Sequence, residues 1–195
     1  KLNEINNAYQ DYSIAIKLSP TFSFAFHKRA ICNLRFGKVP EALDDLEKAL
    51  KLNPALSLAY VTRANIFYDK GDYDKSIDDY TKAIKLDPSI EKAYISRGLA
   101  YSHKNQLTES LMDFTDAIDL NNNSYFAYNF RGLVFVKMRE YANAIRDFNE
   151  AIRLKPDYTD AYNNRGITFF IVKKYDEASE DYAHALKLNP NSPNI

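Results

Sequence analysis

Residues 57–90 read SLAYVTRANIFYDKGDYDKSIDDYTKAIKLDPSI, and residues 125–158 read YFAYNFRGLVFVKMREYANAIRDFNEAIRLKPDY. Laid over one another without a gap, the two share an aromatic at the fourth place and Arg at the seventh. A small residue follows at the eighth, an aromatic at the eleventh, Tyr at the seventeenth, Asp at the twenty-third and Pro at the thirty-second. The register runs along the whole chain, giving Pro20, Pro54, Pro88, Pro156 and Pro190, with Asn122 in the slot that the 34-residue beat would otherwise fill with proline. A constant period of this length specifies a stack of like supersecondary units, because one compact core imposes no such repetition.

Within each period the spacings predict two helices. Tyr60, Ala64 and Phe67 are separated by four and three residues, as are Tyr94, Gly98 and Tyr101; Tyr128, Gly132 and Phe135; and Tyr162, Gly166 and Phe169. That spacing puts each trio on one face of a first helix, with a small residue where a second helix can come close. The second helix carries its own stripe, Ala144, Phe148, Ala151 and Ile152 in one period and Ala178, Tyr182, Ala185 and Leu186 in another. Gly37 and Gly71 mark the turn between the two, and proline stops the second helix. Full repeats therefore run 23–56, 57–90, 91–124, 125–158 and 159–192, followed by a tail at 193–195. Residues 1–22, with Ala8, Tyr12 and Ala15 in phase, fit only the second helix of a repeat.

The pattern aromatic-x-x-Arg-Gly/Ala-x-x-aromatic, then Ala/Ser-x-x-x-aromatic-x-x-Ala, then Pro, resembles the tetratricopeptide repeat (TPR). Five full copies and a half copy carry it, departing at Asn33, which replaces the second aromatic, and at Asn122. The resemblance implies an all-α fold, an α-α superhelix or right-handed solenoid of stacked antiparallel helix pairs forming one segment over 1–195. No polar capping helix is evident in the sequence at either end, where stacked repeats ordinarily need one. The chain is therefore expected to be a segment of a longer protein.

Bulk composition bears on function mainly by exclusion. Lys plus Arg and Asp plus Glu number 26 each, so no net field draws the chain to nucleic acid or to an anionic membrane. One cysteine, Cys32, cannot make an internal disulfide and fits a reducing compartment, so a cytoplasmic location is expected. No apolar run approaches the roughly 20 residues that span a bilayer. His27, His103 and His184 fall at three different places of three repeats, and the five glycines stand singly. No metal centre, nucleophile–base pair or phosphate loop is indicated, and the expectation is a non-enzyme without cofactors.

Arg at the seventh place and Asp at the twenty-third recur in every full repeat: Arg29/Asp45, Arg63/Asp79, Arg97/Asp113, Arg131/Asp147 and Arg165/Asp181. We read them as structural pairs that fix the angle between the two helices of a repeat.

A second apolar stripe on the first helices lies about 140° from the core face, from the 100° step per residue. In TPR proteins these places line the concave groove, which here would be lined by Phe24, Ile31, Leu58, Val61, Asn65, Ile95, Leu99, Phe126, Asn129, Phe130, Leu133, Asn163, Asn164 and Ile167. An apolar stripe of that size calls for a cover, and a partner helix or extended peptide would supply one. Internal packing between repeats, or the protein's own missing helices, are the alternatives. The asparagines suggest backbone gripping near the C-terminal end. No run of three repeats brings together the cations of a carboxylate clamp, which argues against a heat-shock chaperone tail as partner.

The expected function is a protein-interaction adaptor or scaffold with no nucleic-acid or membrane partner. The alternatives are a substrate-selecting arm of a larger glycosyltransferase, kinase or phosphatase, and self-association through unfinished ends where Ile5, Tyr9 and Tyr12 lack a cover. The proline-free joint at Asn122 is expected to be a softer hinge.

Overall fold

The computed structural model describes residues 2–190; Lys1 and residues 191–195, and with them the end of the last repeat and the 193–195 tail, lie outside the described residues. Eleven helices and no strand occur among the described residues. The first, α1, spans Leu2–Leu18. Pairs follow: α2 (Ser23–Arg35) with α3 (Val39–Leu52), α4 (Ser57–Asp69) with α5 (Tyr73–Leu86), and α6 (Glu91–His103) with α7 (Leu107–Leu120). The last pairs are α8 (Tyr125–Lys137) with α9 (Tyr141–Leu154), and α10 (Thr159–Ile171) with α11 (Tyr175–Leu188). The expected all-α class is therefore the observed one. The chain divides into two compact units, residues 1–96 and 97–195, with the division falling inside α6.

In the N-terminal unit, Ala30, Ala42, Leu46, Leu50, Ala59 and Ile66 form one buried cluster, and Ala64, Tyr80 and Ala93 another. In the C-terminal unit Ala151, Tyr158 and Ala161 play the same part. Ala25, Ala59, Ala93, Ala127 and Ala161, the third residue of each repeat, are all fully buried. Strict alanine there was a sequence signal that the aromatic pattern overshadowed, and it marks a place where no larger side chain fits.

Every second helix starts after a turn whose one residue has positive φ, at Gly37, Gly71, Asn105, Arg139 and Lys173. Glycine takes this left-handed conformation at no steric cost, whereas the other three carry it as local strain. Three joints between repeats share one geometry. Asn53, Asp87 and Asn121 end their helices in extended backbone, and each side-chain oxygen accepts the N–H two residues on, at 3.0, 3.1 and 3.1 Å. The proline-free joint thus has the same geometry as its proline-bearing neighbours, because the Asn121 side chain makes the turn. The structure offers no basis for a softer hinge there.

All five Arg–Asp pairs form, each as two parallel bonds. Arg29 donates to Asp45 at 2.9 and 2.6 Å, and Arg131 to Asp147 at 2.8 and 2.9 Å. Arg63–Asp79, Arg97–Asp113 and Arg165–Asp181 repeat the arrangement. The five aspartates are buried and the arginines lie against aromatic rings, Arg131 against Tyr128 and Phe135 at 5.6 and 6.0 Å from the ring centres. Hydrogen bonding to Asp45 and Asp79 holds the Arg29 and Arg63 guanidiniums above their usual range. Burial raises the Asp113 carboxyl despite the cation beside it.

Some arginines also reach backwards. Arg131 Nη1 donates to Thr115 Oγ1 at 3.3 Å and Arg165 Nη1 to Asn149 Oδ1 at 2.6 Å. One guanidinium therefore ties two helices of its own repeat to the second helix of the repeat before.

Candidate protein-interaction face

The first helices of successive repeats present their fifth and sixth residues to one another, so polar contacts along this wall join residues 35 apart. His27 Nε2 and Thr62 Oγ1 lie 3.0 Å apart, and Asn164 Nδ2 donates to Asn129 Oδ1 at 3.0 Å. The Thr62 hydroxyl already donates to the Leu58 carbonyl at 2.8 Å, so it must accept from His27 Nε2–H. That leaves His27 Nδ1 buried as an acceptor with no partner among the described residues. Burial, and then Lys28, push the His27 pKa down to about 4. Seven residues further along the first helices, at places twelve and thirteen, Lys137 Nζ donates to Ser102 Oγ at 2.8 Å and to its carbonyl at 3.2 Å.

In the N-terminal unit, Phe24 and Leu58 stand exposed on the face expected to be concave, with Lys28 Nζ 4.9 Å from the centre of the Phe24 ring. Ile31, Val61 and Ile95 are half-buried. Asn65 is exposed and accepts the hydroxyl of Tyr80, whose burial raises its own pKa to about 12.

In the C-terminal unit the expected residues converge. Asn129, Phe130 and Leu133 of α8, with Asp160, Asn163, Asn164 and Ile167 of α10, line an open depression of about 300 Å³. On α10 the spacing of three, one and three residues aligns all four on one face. Ile167 is 47% exposed at the rim, and Phe126, 44% exposed, flanks the depression. Leu99 is half-buried on α6 and is not part of its lining.

Aromatic rings run on from there. Phe130 stacks on buried Phe114 and on Phe126, with centres 5.9 and 6.4 Å apart. Phe126 and Tyr125 both meet Tyr158 edge-on, and Lys155 Nζ sits 4.8 Å from the centre of the Tyr125 ring. Burial, then the nearby Asp160 charge, raises the Tyr158 phenol.

Two site residues differ in role from their sequence reading. Asn129 is buried, its oxygen taken by Asn164 and its amide near the Tyr158 hydroxyl at 3.4 Å, so it braces the wall and offers little to a ligand. Phe130 is half core, since one side packs on Phe114. Asp160 belongs to the lining but was not among the residues expected there, because the second place of other repeats holds Phe24, Leu58, Lys92 and Phe126, with no acid among them. Asn163 Oδ1 is buried without a hydrogen-bond partner among the described residues.

Among the described residues no helix is long and apolar enough to cross a membrane, and no cluster of His, Cys, Asp or Glu is arranged to hold a metal. Cys32 is buried, which pushes its thiol pKa up.

Helix pairs closed by a buried Arg–Asp fork and a left-handed turn, repeated every 34 residues, define a class of protein-interaction repeats. The chain belongs to the tetratricopeptide repeat family: models described as "TPR repeat" match residues 64–104 and 132–171, and models described as "Tetratricopeptide repeat" match 91–124 and 159–192. No curated protein matches the chain by sequence.

Solved structures share the fold. One, "Functional Characterization of Pseudomonas Aeruginosa pilF", has a TM-score of 0.85 at 16% identity, over 97% of this chain and 86% of that one. YrrB, "a TPR protein with an unusual peptide-binding site", has a TM-score of 0.78 at 21% identity, over 92% and 93% of the two chains. The MamA structure has a TM-score of 0.78 at 25% identity, over 83% and 94%. The protein is thus a TPR module of the protein-interaction type.

Proposed function

We propose that the chain is a non-catalytic adaptor or scaffold that captures a peptide or helix of a protein partner on the face formed by its first helices, with the binding centre between α8 and α10. The observation that carries this reading is the depression itself. All but one of its lining residues were expected to lie in the groove from sequence alone, and it combines apolar Phe130, Leu133 and Ile167 with amide-bearing Asn163 and Asn164. Apolar pockets ringed by a few polar groups are where a chain segment binds with specificity. The peptide-binding site named for YrrB makes the same mode reasonable here, on a shared fold.

Ile167→Asp is the cleanest disruption, since the side chain is exposed and its loss leaves the helix packing intact. Phe130→Asp, a more obvious choice, would also unstack Phe114 and lower stability. Affinity capture with the intact chain and with Ile167→Asp, followed by cross-link mapping, should lose partners whose cross-links fall on α8 and α10. Retention of those partners by a folded Ile167→Asp protein would place recognition on another face.

A further inference from the structure

The lining of the α8–α10 depression carries charge of one sign only. Asp160 is its one charged residue, exposed and in no ion pair among the described residues. Asn163 Oδ1 is a buried acceptor with no hydrogen-bond partner among the described residues, and its χ2 torsion is of the broad kind that can turn it toward the depression at small cost. One N–H of Asn164 is taken by Asn129. The cations of this unit that stand nearby in sequence are engaged elsewhere, Lys137 on Ser102, Lys155 against the Tyr125 and Tyr158 rings, and Arg165 on Asp181 and Asn149. Beside the unmet acceptors lie Phe130, Leu133 and Ile167.

Resting on the groove reading above, we infer that this depression selects a peptide segment carrying Lys or Arg beside an aliphatic or aromatic residue. The cation meets Asp160, the apolar neighbour lies on Phe130, Leu133 and Ile167, and a segment N–H meets Asn163 Oδ1. Charge complementarity of this kind chooses between partners and speeds encounter more than it adds affinity.

Asp160 also lies in the first turn of α10, where any carboxylate favours the helix dipole. A dipole role would appear in the melting curve and would not alter which peptides bind. The probe is an array of synthetic nonapeptides on a Gly-Ser frame, each with one Leu or Phe next to one of Lys, Arg, Gln or Glu, with the best pairs measured by fluorescence polarisation.

Lys and Arg members should bind the intact chain about tenfold more tightly than their Glu counterparts at low salt, with the difference shrinking as salt rises. Asp160→Lys should reverse the order, and Asp160→Asn should remove it. If the intact chain treats Lys and Glu members alike while Ile167→Asp abolishes binding of both, the cation inference fails and the groove reading stands. Binding that survives Ile167→Asp, or binding of no member at all, overturns both.

Discussion

The two units build the same wall from different chemistry. In the N-terminal unit the contact 35 residues apart joins His27 to Thr62, and in the C-terminal unit it joins Asn129 to Asn164. One is titratable and the other is not. Backbone requirements are also met at different places. The N-terminal unit puts glycine at the left-handed turn, Gly37 and Gly71, and alanine where its helices cross, Ala30 and Ala64. The C-terminal unit does the reverse, with Gly98, Gly132 and Gly166 at the crossing and Asn105, Arg139 and Lys173 at the turn. The repeat therefore keeps one geometry, and the two units place their glycines at different points of it, with the left-handed turn strained in the C-terminal unit alone among the described residues.

What both units share should matter most, and the Arg–Asp fork is the shared part. Removing Arg97 leaves Asp113 buried and already raised by desolvation, with its cation gone. Breaking a buried pair from one side costs about 3 kcal/mol, so Arg97→Ala should show a large drop in melting temperature. Arg29→Ala in the other unit should cost about as much. Arg153→Ala, which removes an exposed pair with Glu150, should leave the curve where it was. Equal, small effects at Arg29 and Arg97 would mean that the fork is incidental and the units share less than they appear to.

The crossing glycines come next. A methyl at Gly132 would sit 2.6 Å from Phe148 Cε1, at Gly166 2.8 Å from Tyr182 Cε1, and at Gly98 3.0 Å from Phe114 Cε1. A rigid ring cannot fold away as a flexible chain would. Overpacking of this kind costs about 1–3 kcal/mol, against a helix-propensity gain of about 1 kcal/mol for Gly→Ala. Denaturant titration should rank the losses Gly132→Ala, Gly166→Ala, Gly98→Ala, with the last close to neutral. The N-terminal unit already holds Ala64 against Tyr80, so a neutral result at all three would show that the ring shifts freely and that the difference between units has no mechanical content.

These contrasts also explain how far the sequence could be read. Helix order, turn positions and the Arg–Asp pairing were legible because each depends on residue type at a fixed interval. The lining of the depression was legible for the same reason, as a stripe at helical spacing. The role of Asn129 was not, because an asparagine looks the same whether it faces a ligand or a neighbour, and only the position of Asn164 on the adjacent helix decides it. Nor was Asp160, whose place varies from repeat to repeat and so carries no period to read. Phe130 shows the same limit from the other side: a half-turn of packing on Phe114 separates a groove residue from a core residue.

The wall contact predicts a difference in acid response. The folded-state pKa of His27 is about 4, against 6.5 unfolded, so between those values the unfolded chain binds the extra proton and stability rises with pH. The contribution is complete above about pH 6.5 and is lost as pH falls toward 4. A loss of about 1–2 kcal/mol over that window, less than the full shift would give because solvent screens part of it, should appear in melts of the intact chain from pH 7 to 4.5. His27→Asn installs the residue that Asn129 provides at the same place of a later repeat, and it should flatten that part of the profile. An unchanged profile would assign the acid response to carboxylates common to both units and erase the contrast at the wall.

The smallest expected effect is a gain. Arg139 and Lys173 hold φ of 62° and 65°, where a Cβ crowds the following carbonyl. Relieving that contact with glycine is worth about 1 kcal/mol in the folded state, offset in part by the greater freedom of glycine in the unfolded chain. Arg139→Gly and Lys173→Gly should therefore each stabilise by about 0.5 kcal/mol, measurable as a small shift in denaturation midpoint at constant slope. Asn105 should gain less, since asparagine tolerates the left-handed region better than a long side chain does. The converse change, Gly71→Lys, meets open space, because nothing lies within 4 Å of an added Cβ, so its cost would be backbone strain alone. If Gly71→Lys destabilises by as much as Lys173→Gly stabilises, the two units differ at this turn by strain and by nothing else.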